Sequence, residues 1–432
     1  MGNKKNTSPW AWVPSLYLVQ GLPNVAVVSI SVVMYSRMGL SNTDITFYTG
    51  LLYLPWVIKP FWSPFVDLLK TKRWWIFIMQ LLMGAGFAGI AFTIPTSFFF
   101  QATLAFFYLV AFSSATHDIA ADGFYMHSLD TNQQAVFVGI RSTFFRISNL
   151  LGGGVLIMLA GYLERLTGEN ITLAWSITFF VIAGILIVFG LYHRFMLPKP
   201  DSDNQQHIHL TASKIVSEFV LTFVTFFKKP QILVALFFIM TFRFSEAQML
   251  KMIPLFLMAP LEKGGLSLSV EQYGFVYGTM GMIALTLGGI IGGITASRGG
   301  LKKWIWPMTL TMLVTATVFV YLSFSQTGSL LMINLCIFIE QFGYGFGFTA
   351  YMLYLMYYSQ GEQKTAHYAI CTGFMALGFM LPQMFAGWVQ EHLFNGSYKN
   401  FFLWVSACSI VPIISVSLLK IDPTFGKKNE TK

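Results

Sequence analysis

Charged residues are scarce in this chain. Asp, Glu, Lys and Arg make up 10% of its 432 residues, whereas hydrophobic residues make up 55%. A soluble domain carries roughly a quarter charged residues, so this composition excludes an ordinary soluble protein. Apolar runs of about 20 residues, long enough to cross a bilayer, recur along the whole chain. The sequence therefore predicts an integral membrane protein.

Cysteines and nucleotide-binding loops are also rare or missing. Cys336, Cys371 and Cys408 all lie in apolar segments, at spacings that do not suit a metal ion. The sequence has no Gly-rich loop followed by Lys and Ser or Thr, the pattern that cradles ATP phosphates. It also shows no recognisable pairing of a nucleophile with a base. From these absences we expect a protein that is not an enzyme and that binds neither a metal ion nor a cofactor.

Twelve apolar segments are long enough to be transmembrane helices, so an all-α fold is predicted. A polar linker at 198–230 separates an N-terminal half, 1–197, from a C-terminal half, 231–432. Within the linker, apolar residues at helical spacing predict an amphipathic helix on the membrane surface. The twelve predicted spans are 10–38, 45–66, 74–95, 98–124, 134–163, 171–197, 231–259, 269–297, 303–324, 329–358, 364–392 and 399–420.

The basic residues predict the orientation. Of 27 Lys and Arg residues, five lie inside the spans. If the N-terminus is in the cytoplasm, 18 of the other 22 are also on the cytoplasmic side. Basic loops stay in the cytoplasm, so both termini are expected there. The net charge of +9 then reflects topology and attraction to anionic lipid, and nothing in it suggests nucleic acid.

Two carboxylates lie one helical turn apart inside the fourth span. Asp118 and Asp122 share a helix face at i, i+4, and a charge within hydrocarbon needs a partner or a wet cavity. Asp118 is predicted to take part in proton coupling or to be a structural ion-pair partner. For Asp122, nearer the helix end, a structural bridge to Arg141 is favoured. An intramembrane aspartyl enzyme is a further alternative, although such acids usually come from separate elements.

A short repeat relates the two halves of the chain. Ser63, Asp67, Lys72, Arg73 and Trp74 recur, 230 positions later, as Gly293, Ser297, Lys302, Lys303 and Trp304. Each copy follows the second span of its half. Parallel six-helix repeats are the organisation of major facilitator transporters, and this basic turn resembles the loop motif of that superfamily. The resemblance implies gating and packing roles for Asp67, Lys72, Arg73 and Arg298.

Further motifs resemble one branch of the superfamily, the AmpG-type permeases and acetyl-CoA transporters. They include Gln20-Gly-Leu-Pro23, the segment from Leu54 to Asp67, the segment from Ala115 to Gly123, and Phe242-Arg-Phe-Ser-Glu-Ala247. The resemblance implies proton-driven import of an anionic cell-wall fragment, an anhydromuropeptide, across a bacterial inner membrane. Resemblance to the acetyl-CoA transporters of the same branch implies, as the alternative, transport of acetyl-CoA or another acyl-CoA. The fold usually works as a monomer.

The charges inside the spans also favour an anionic solute, because arginine forks bind carboxylates and phosphates. Arg146 lies about 18 Å into its span at 1.5 Å per residue, near the depth at which transporters bind solute. Arg243 and Glu246, at i, i+3, are expected to pair, which makes Glu246 the second candidate for proton coupling. The predicted solute-binding residues are Arg146, Arg243, Lys59, Glu340 and Tyr351.

Overall fold

The computed structural model describes residues 7–63, 66, 70–199, 212–361 and 364–426. Within these ranges every regular element is helical, so the predicted all-α fold is confirmed. Eleven helices are long and apolar enough to cross a membrane. They are α1 (Pro9–Arg37), α4 (Lys72–Thr93), α5 (Phe99–Ser128), α6 (Gly139–Leu166), α7 (Ile171–Met196), α9 (Ile232–Met258), α10 (Val270–Gly299), α11 (Leu301–Ser325), α12 (Leu330–Tyr358), α13 (Ala366–Leu393) and α14 (Tyr398–Ser417).

The second predicted span is interrupted, and it is not among the eleven long helices. It contains α2 (Asn42–Leu51) and α3 (Leu54–Ile58), and a 3₁₀ turn follows at Lys59–Phe61. Pro55 and Pro60 explain the interruptions, since proline lacks the N–H that would continue the helical ladder. This local unwinding places Lys59 on the 3₁₀ turn, between the two prolines.

The linker between the halves also contains a helix. This helix, α8 (Ala212–Phe227), lies where the amphipathic segment was predicted. Phe226 near its end is fully buried, and its ring stacks 6.3 Å from that of Phe374. The final turn of α8 therefore packs against the apolar core, while residues 200–211 of the linker lie outside the described ranges.

The chain forms two compact units. One comprises Met1–Met34 and Leu52–Glu218, and the other comprises Tyr35–Leu51 and Phe219–Lys432. The predicted halves are defined by the repeat and stay a prediction, whereas these units are defined by packing. Helix α2 lies early in the sequence but belongs to the second unit.

Polar contacts hold α2 within the second unit. The Glu391 carboxylate accepts hydrogen bonds from the backbone N–H groups of Asn42 (2.7 Å) and Thr43 (3.0 Å). The Asn42 side-chain amide donates to Gln390 at 2.9 Å and to the Tyr398 hydroxyl at 3.2 Å. A carboxylate at a helix N-terminus satisfies free N–H groups and complements the helix dipole.

Glycines let α12 approach its neighbours closely. A Cβ atom on Gly345 would lie 2.1 Å from the Leu285 carbonyl oxygen of α10, and one on Gly343 would lie 2.1 Å from Thr315 Oγ1 of α11. Small residues at such contacts allow the backbones to pack directly.

We therefore expect Gly345→Ala to destabilise the protein by about 1–3 kcal/mol, the usual penalty for overpacking a tight core. The new methyl group meets a backbone carbonyl, which cannot rotate away as a flexible side chain would. Gly293→Ala is the matched control, because no atom lies within 4 Å of its Cβ position. Thermal unfolding of both variants in detergent tests the expectation, and equal melting temperatures would contradict it.

Candidate functional site

In the first unit, Asp118 lies among polar partners from a neighbouring segment. Its carboxylate is 3.8 Å from Lys59 Nζ and accepts a 3.1 Å hydrogen bond from the Trp56 indole N–H. The Asp118 side chain is 13% exposed and that of Lys59 is 34% exposed. The broken second span brings both partners to Asp118, because Trp56 lies on α3 and Lys59 on the turn after it. The Lys59–Asp118 distance is long for an ion pair, so the contact is weak and the two side chains can separate.

Asp122 forms the ion pair that its position predicted. Arg141 donates to its carboxylate at 2.9 Å, and the Tyr17 hydroxyl donates to the same oxygen at 3.1 Å. The Arg141 guanidinium also lies 4.6 Å from the Tyr17 ring centroid and 5.0 Å from that of Tyr125. These contacts join α1, α5 and α6. Asp118 and Asp122 therefore have separate cations, an arrangement unlike the shared proton of an aspartyl enzyme.

Arg146 lies on an exposed face of α6. Gly139, Ser142 and Thr143 are also exposed, and their spacing of three and four residues places them on the same face. A face of polar and small residues within a membrane helix is typical of one that lines a water-filled cavity. This setting suits the predicted solute contact of Arg146, which stays a prediction.

The first copy of the basic turn, which leads into α4, lies only partly within the described residues. Lys72 is 3% exposed, and its side chain packs against Gly123 of α5. Arg73 donates to the Arg194 carbonyl oxygen at the end of α7. Both residues therefore tie the ends of helices together, in agreement with a packing role. Asp67 lies outside the described residues.

In the second unit, Arg243 and Glu246 form a buried bidentate ion pair. Arg243 Nε lies 2.6 Å from one carboxylate oxygen and its terminal nitrogen 2.8 Å from the other. Arg243 interrupts α9, with φ −97° and ψ 13°, and Glu246 lies in the first turn after the interruption. The guanidinium also donates to the Tyr344 hydroxyl at 2.8 Å and lies 3.7 Å from the Phe379 ring centroid. Aromatic rings therefore enclose the pair and exclude water from much of it.

Glu340 is a second buried carboxylate of this unit, and it is 2% exposed. Its carboxylate accepts a hydrogen bond from the Gln341 side-chain amide at 2.8 Å, and that amide also donates to the Tyr277 hydroxyl at 3.1 Å. No cation of the described residues lies within 4.0 Å of it. A buried carboxylate without a cation is costly in its charged form.

Tyr351, one of the predicted solute-binding residues, is part of the core. It is fully buried, its ring stacks 4.8 Å from that of Phe242, and its hydroxyl donates to the Ile239 carbonyl oxygen. This placement favours a packing role for Tyr351. Tyr344, one of the tyrosines in the same segment, is the tyrosine that contacts Arg243 directly.

A chain of buried hydrogen bonds links four helices of the first unit, and the sequence had not indicated it. The Ser15 hydroxyl donates to His193 Nε2 at 2.9 Å, and His193 Nδ1–H donates to Gln80 Oε1 at 3.0 Å. The Gln80 amide in turn donates to His117 Nε2 at 3.0 Å. His193 is fully buried, although it lies in the last turn of α7. No periodicity connects these four positions, because each lies on a different helix.

Two relatives of the chain are named as a putative transporter and a permease. The chain is 26% identical over 403 residues to a putative transporter, AmpG 4, of Rickettsia conorii, and the match covers 90% of this chain and 91% of the relative. It is 23% identical over 426 residues to the anhydromuropeptide permease of Escherichia coli K12, with 96% and 80% covered.

Solved transporter structures share the fold. A D-xylose–proton symporter superposes with a TM-score of 0.71 at 14% identity, over 97% of this chain and 99% of the symporter. A bacterial homologue of the human lysosomal transporter Spinster also gives 0.71 at 14% identity, with 96% of each chain covered. The sequence profile of the Major Facilitator Superfamily matches residues 15–387. The chain therefore belongs to the major facilitator superfamily and has the fold that its repeat predicted.

Proposed function

We propose that this membrane transporter is a proton-coupled importer of a bulky anionic solute, an anhydromuropeptide of the bacterial cell wall. We place it in the inner membrane as a monomer with both termini in the cytoplasm. The name of the Escherichia coli relative, anhydromuropeptide permease, supports this solute class, and the distribution of Lys and Arg supports the orientation.

The buried Arg243–Glu246 pair is the observation that carries the proposal. While Glu246 is ionised, its carboxylate accepts hydrogen bonds from Nε and from one terminal nitrogen of Arg243. These two donors are then not available to a solute. Protonation of Glu246 removes the charge that holds Arg243, and the fork becomes available to a solute carboxylate. Binding of the anion and of the proton would then favour each other, which is the coupling that symport requires.

Asp118 would supply the second protonatable site. Its contact with Lys59 is long at 3.8 Å, and a tryptophan N–H donates to the same carboxylate. A proton on Asp118 would release Lys59, which together with Arg146 would provide positive charge for the solute within the first unit. Glu340 remains the predicted solute contact of the second unit, where it would accept hydrogen bonds from hydroxyl or amide groups.

Uptake into proteoliposomes with an internal pH above the external pH tests the function. We expect labelled GlcNAc-anhydromuramyl peptide to accumulate, and a protonophore to abolish the accumulation. Over one pH unit and with one proton per solute, the gradient supports about tenfold accumulation.

Labelled acetyl-CoA is the comparison in the same assay. Accumulation of acetyl-CoA alone would refute the muropeptide proposal and indicate that the cations bind phosphates. Gradient-independent equilibration of the muropeptide would instead refute the proton coupling and leave the solute class standing.

A further inference from the structure

A small cavity opens where α10 ends and α11 begins. Its volume is about 230 Å³. Its lining consists of one apolar residue, one hydroxyl, one glycine, two cations and one tryptophan, namely Ile294, Thr295, Gly299, Arg298, Lys303 and Trp304. This cavity lies at the second copy of the basic turn, a segment to which the proposed function assigns no solute or proton binding.

Among the described residues, the two cations of this cavity have no acidic side chain as an ion-pair partner. Neither Arg298 nor Lys303 has a carboxylate within 4.0 Å in the described part of the chain. At the position where the first repeat has Asp67, this copy has Ser297, whose hydroxyl donates to the Ile294 carbonyl of its own helix. This copy of the repeat thus has its positive charges without an acidic residue at the position of Asp67.

Lys302 on the same turn differs from its two neighbours. Asp422 accepts hydrogen bonds from the backbone and side chain of Thr424, and these, together with the Lys302 charge, hold the pKa of the Asp422 carboxyl below its usual range. Lys302 therefore has a nearby carboxylate and does not line the cavity.

Glycine keeps the cavity open. A Cβ atom on Gly299 would lie 2.3 Å from Trp304 Nε1 and 3.2 Å from Lys303 Cδ. Any side chain at this position would therefore compete for the space beside the indole and the lysine stem. The following Gly300, with φ 77°, begins α11 without a side-chain cap, so the positive end of the helix dipole lies at the same place.

An apolar surface leads from the bilayer to this cavity. Exposed residues of α10 recur every three to four positions and end at the cavity wall. They are Ile283, Leu287, Ile290, Ile291 and Ile294, each between 42% and 51% exposed. An occupant that matches both regions needs an anionic head and a hydrocarbon chain, and a tryptophan at their boundary is typical of a membrane interface.

We propose that Arg298 and Lys303 bind the phosphate of an anionic phospholipid, whose acyl chain lies along the isoleucine-rich face of α10. The lipid supplies the negative charge that Ser297 does not. This assignment is independent of the transported solute and would stand if the solute were an acyl-CoA.

Titration of phosphatidylglycerol into detergent-purified protein, followed by native mass spectrometry, tests the site. Arg298→Gln/Lys303→Gln is expected to weaken binding of the first lipid about 30-fold, since each cation near an anionic lipid contributes roughly fivefold. Lys302→Gln/Lys228→Gln removes the same charge outside the cavity and is expected to have little effect. Gly299→Leu keeps both charges but fills the cavity, and it should also weaken binding.

Three outcomes would overturn the proposal. The first is unchanged phosphatidylglycerol affinity in Arg298→Gln/Lys303→Gln, and the second is an equal loss in both double variants, which would indicate non-specific charge attraction. The third is displacement of the lipid by soluble glycerol phosphate at a similar concentration, which would assign the site to a free phosphate compound.

Discussion

Replacing Arg243 with alanine is expected to reduce gradient-driven uptake about 10- to 100-fold, the value of one or two hydrogen bonds to a charged group. The same change is expected to lower the free energy of unfolding by about 3–5 kcal/mol, because it leaves the Glu246 carboxylate buried without its cation. The residue 3.7 Å from its guanidinium is Phe379, which offers no replacement for the charge. Uptake in proteoliposomes and thermal unfolding in detergent measure the two effects.

The double variant Arg243→Ala/Glu246→Ala separates transport from folding. Removing both charges eliminates the uncompensated carboxylate, so stability should recover relative to Arg243→Ala. Uptake should stay low, because no guanidinium is left to bind the solute. Arg243→Lys is the conservative comparison, since lysine keeps the charge but lacks the planar fork. Normal uptake by the stable double variant would contradict the assigned role of Arg243.

Replacing Asp118 with asparagine is expected to abolish accumulation against a gradient while preserving exchange. Asparagine keeps nearly the same shape, and its side-chain oxygen can still accept a hydrogen bond from the Trp56 indole N–H. It cannot, however, take up and release a proton. Solute would then only equilibrate across the membrane, instead of the roughly tenfold accumulation that one pH unit supports with one proton per solute. Uptake under a pH gradient and counterflow without a gradient measure the two activities.

Asp122→Asn is the matched control for Asp118. Its carboxylate lies one turn away on the same helix, but it is bonded to Arg141 at 2.9 Å and to Tyr17. This variant is expected to lose stability and to keep the pH dependence of the transport that remains. If Asp118→Asn and Glu246→Gln both retained full pH-driven accumulation, proton coupling through these two acids would be wrong.

Some of the candidate site could be predicted because helical geometry determines it locally. Arg243 and Glu246 are three positions apart, a spacing at which side chains meet on one helix face, and they still pair although Arg243 itself interrupts α9. The pairing of Asp122 with Arg141 was also expected, because buried charges in adjacent spans must be neutralised.

Other features depend on which helices become neighbours, and no local pattern encodes that. The chain from Ser15 through His193 and Gln80 to His117 spans four helices, and each member alone resembles an ordinary polar residue. Tyr351 shows the converse case. Its position in an aromatic stripe was compatible with solute contact, but the arrangement of α9 and α12 buries it against Phe242.

The sequence by itself determined the class of this protein, its helical spans and its repeat. The class and the spans follow from the bilayer, because about 20 apolar residues are needed to cross it whatever the rest of the chain does, and the repeat is visible in the residues themselves. Only the tertiary structure decided that α2 packs in the second unit through Glu391, that Lys59 reaches Asp118 from a broken helix, and that Arg298 and Lys303 share a cavity. Such contacts join residues that are distant in sequence, and their energies exist only after the helices have packed.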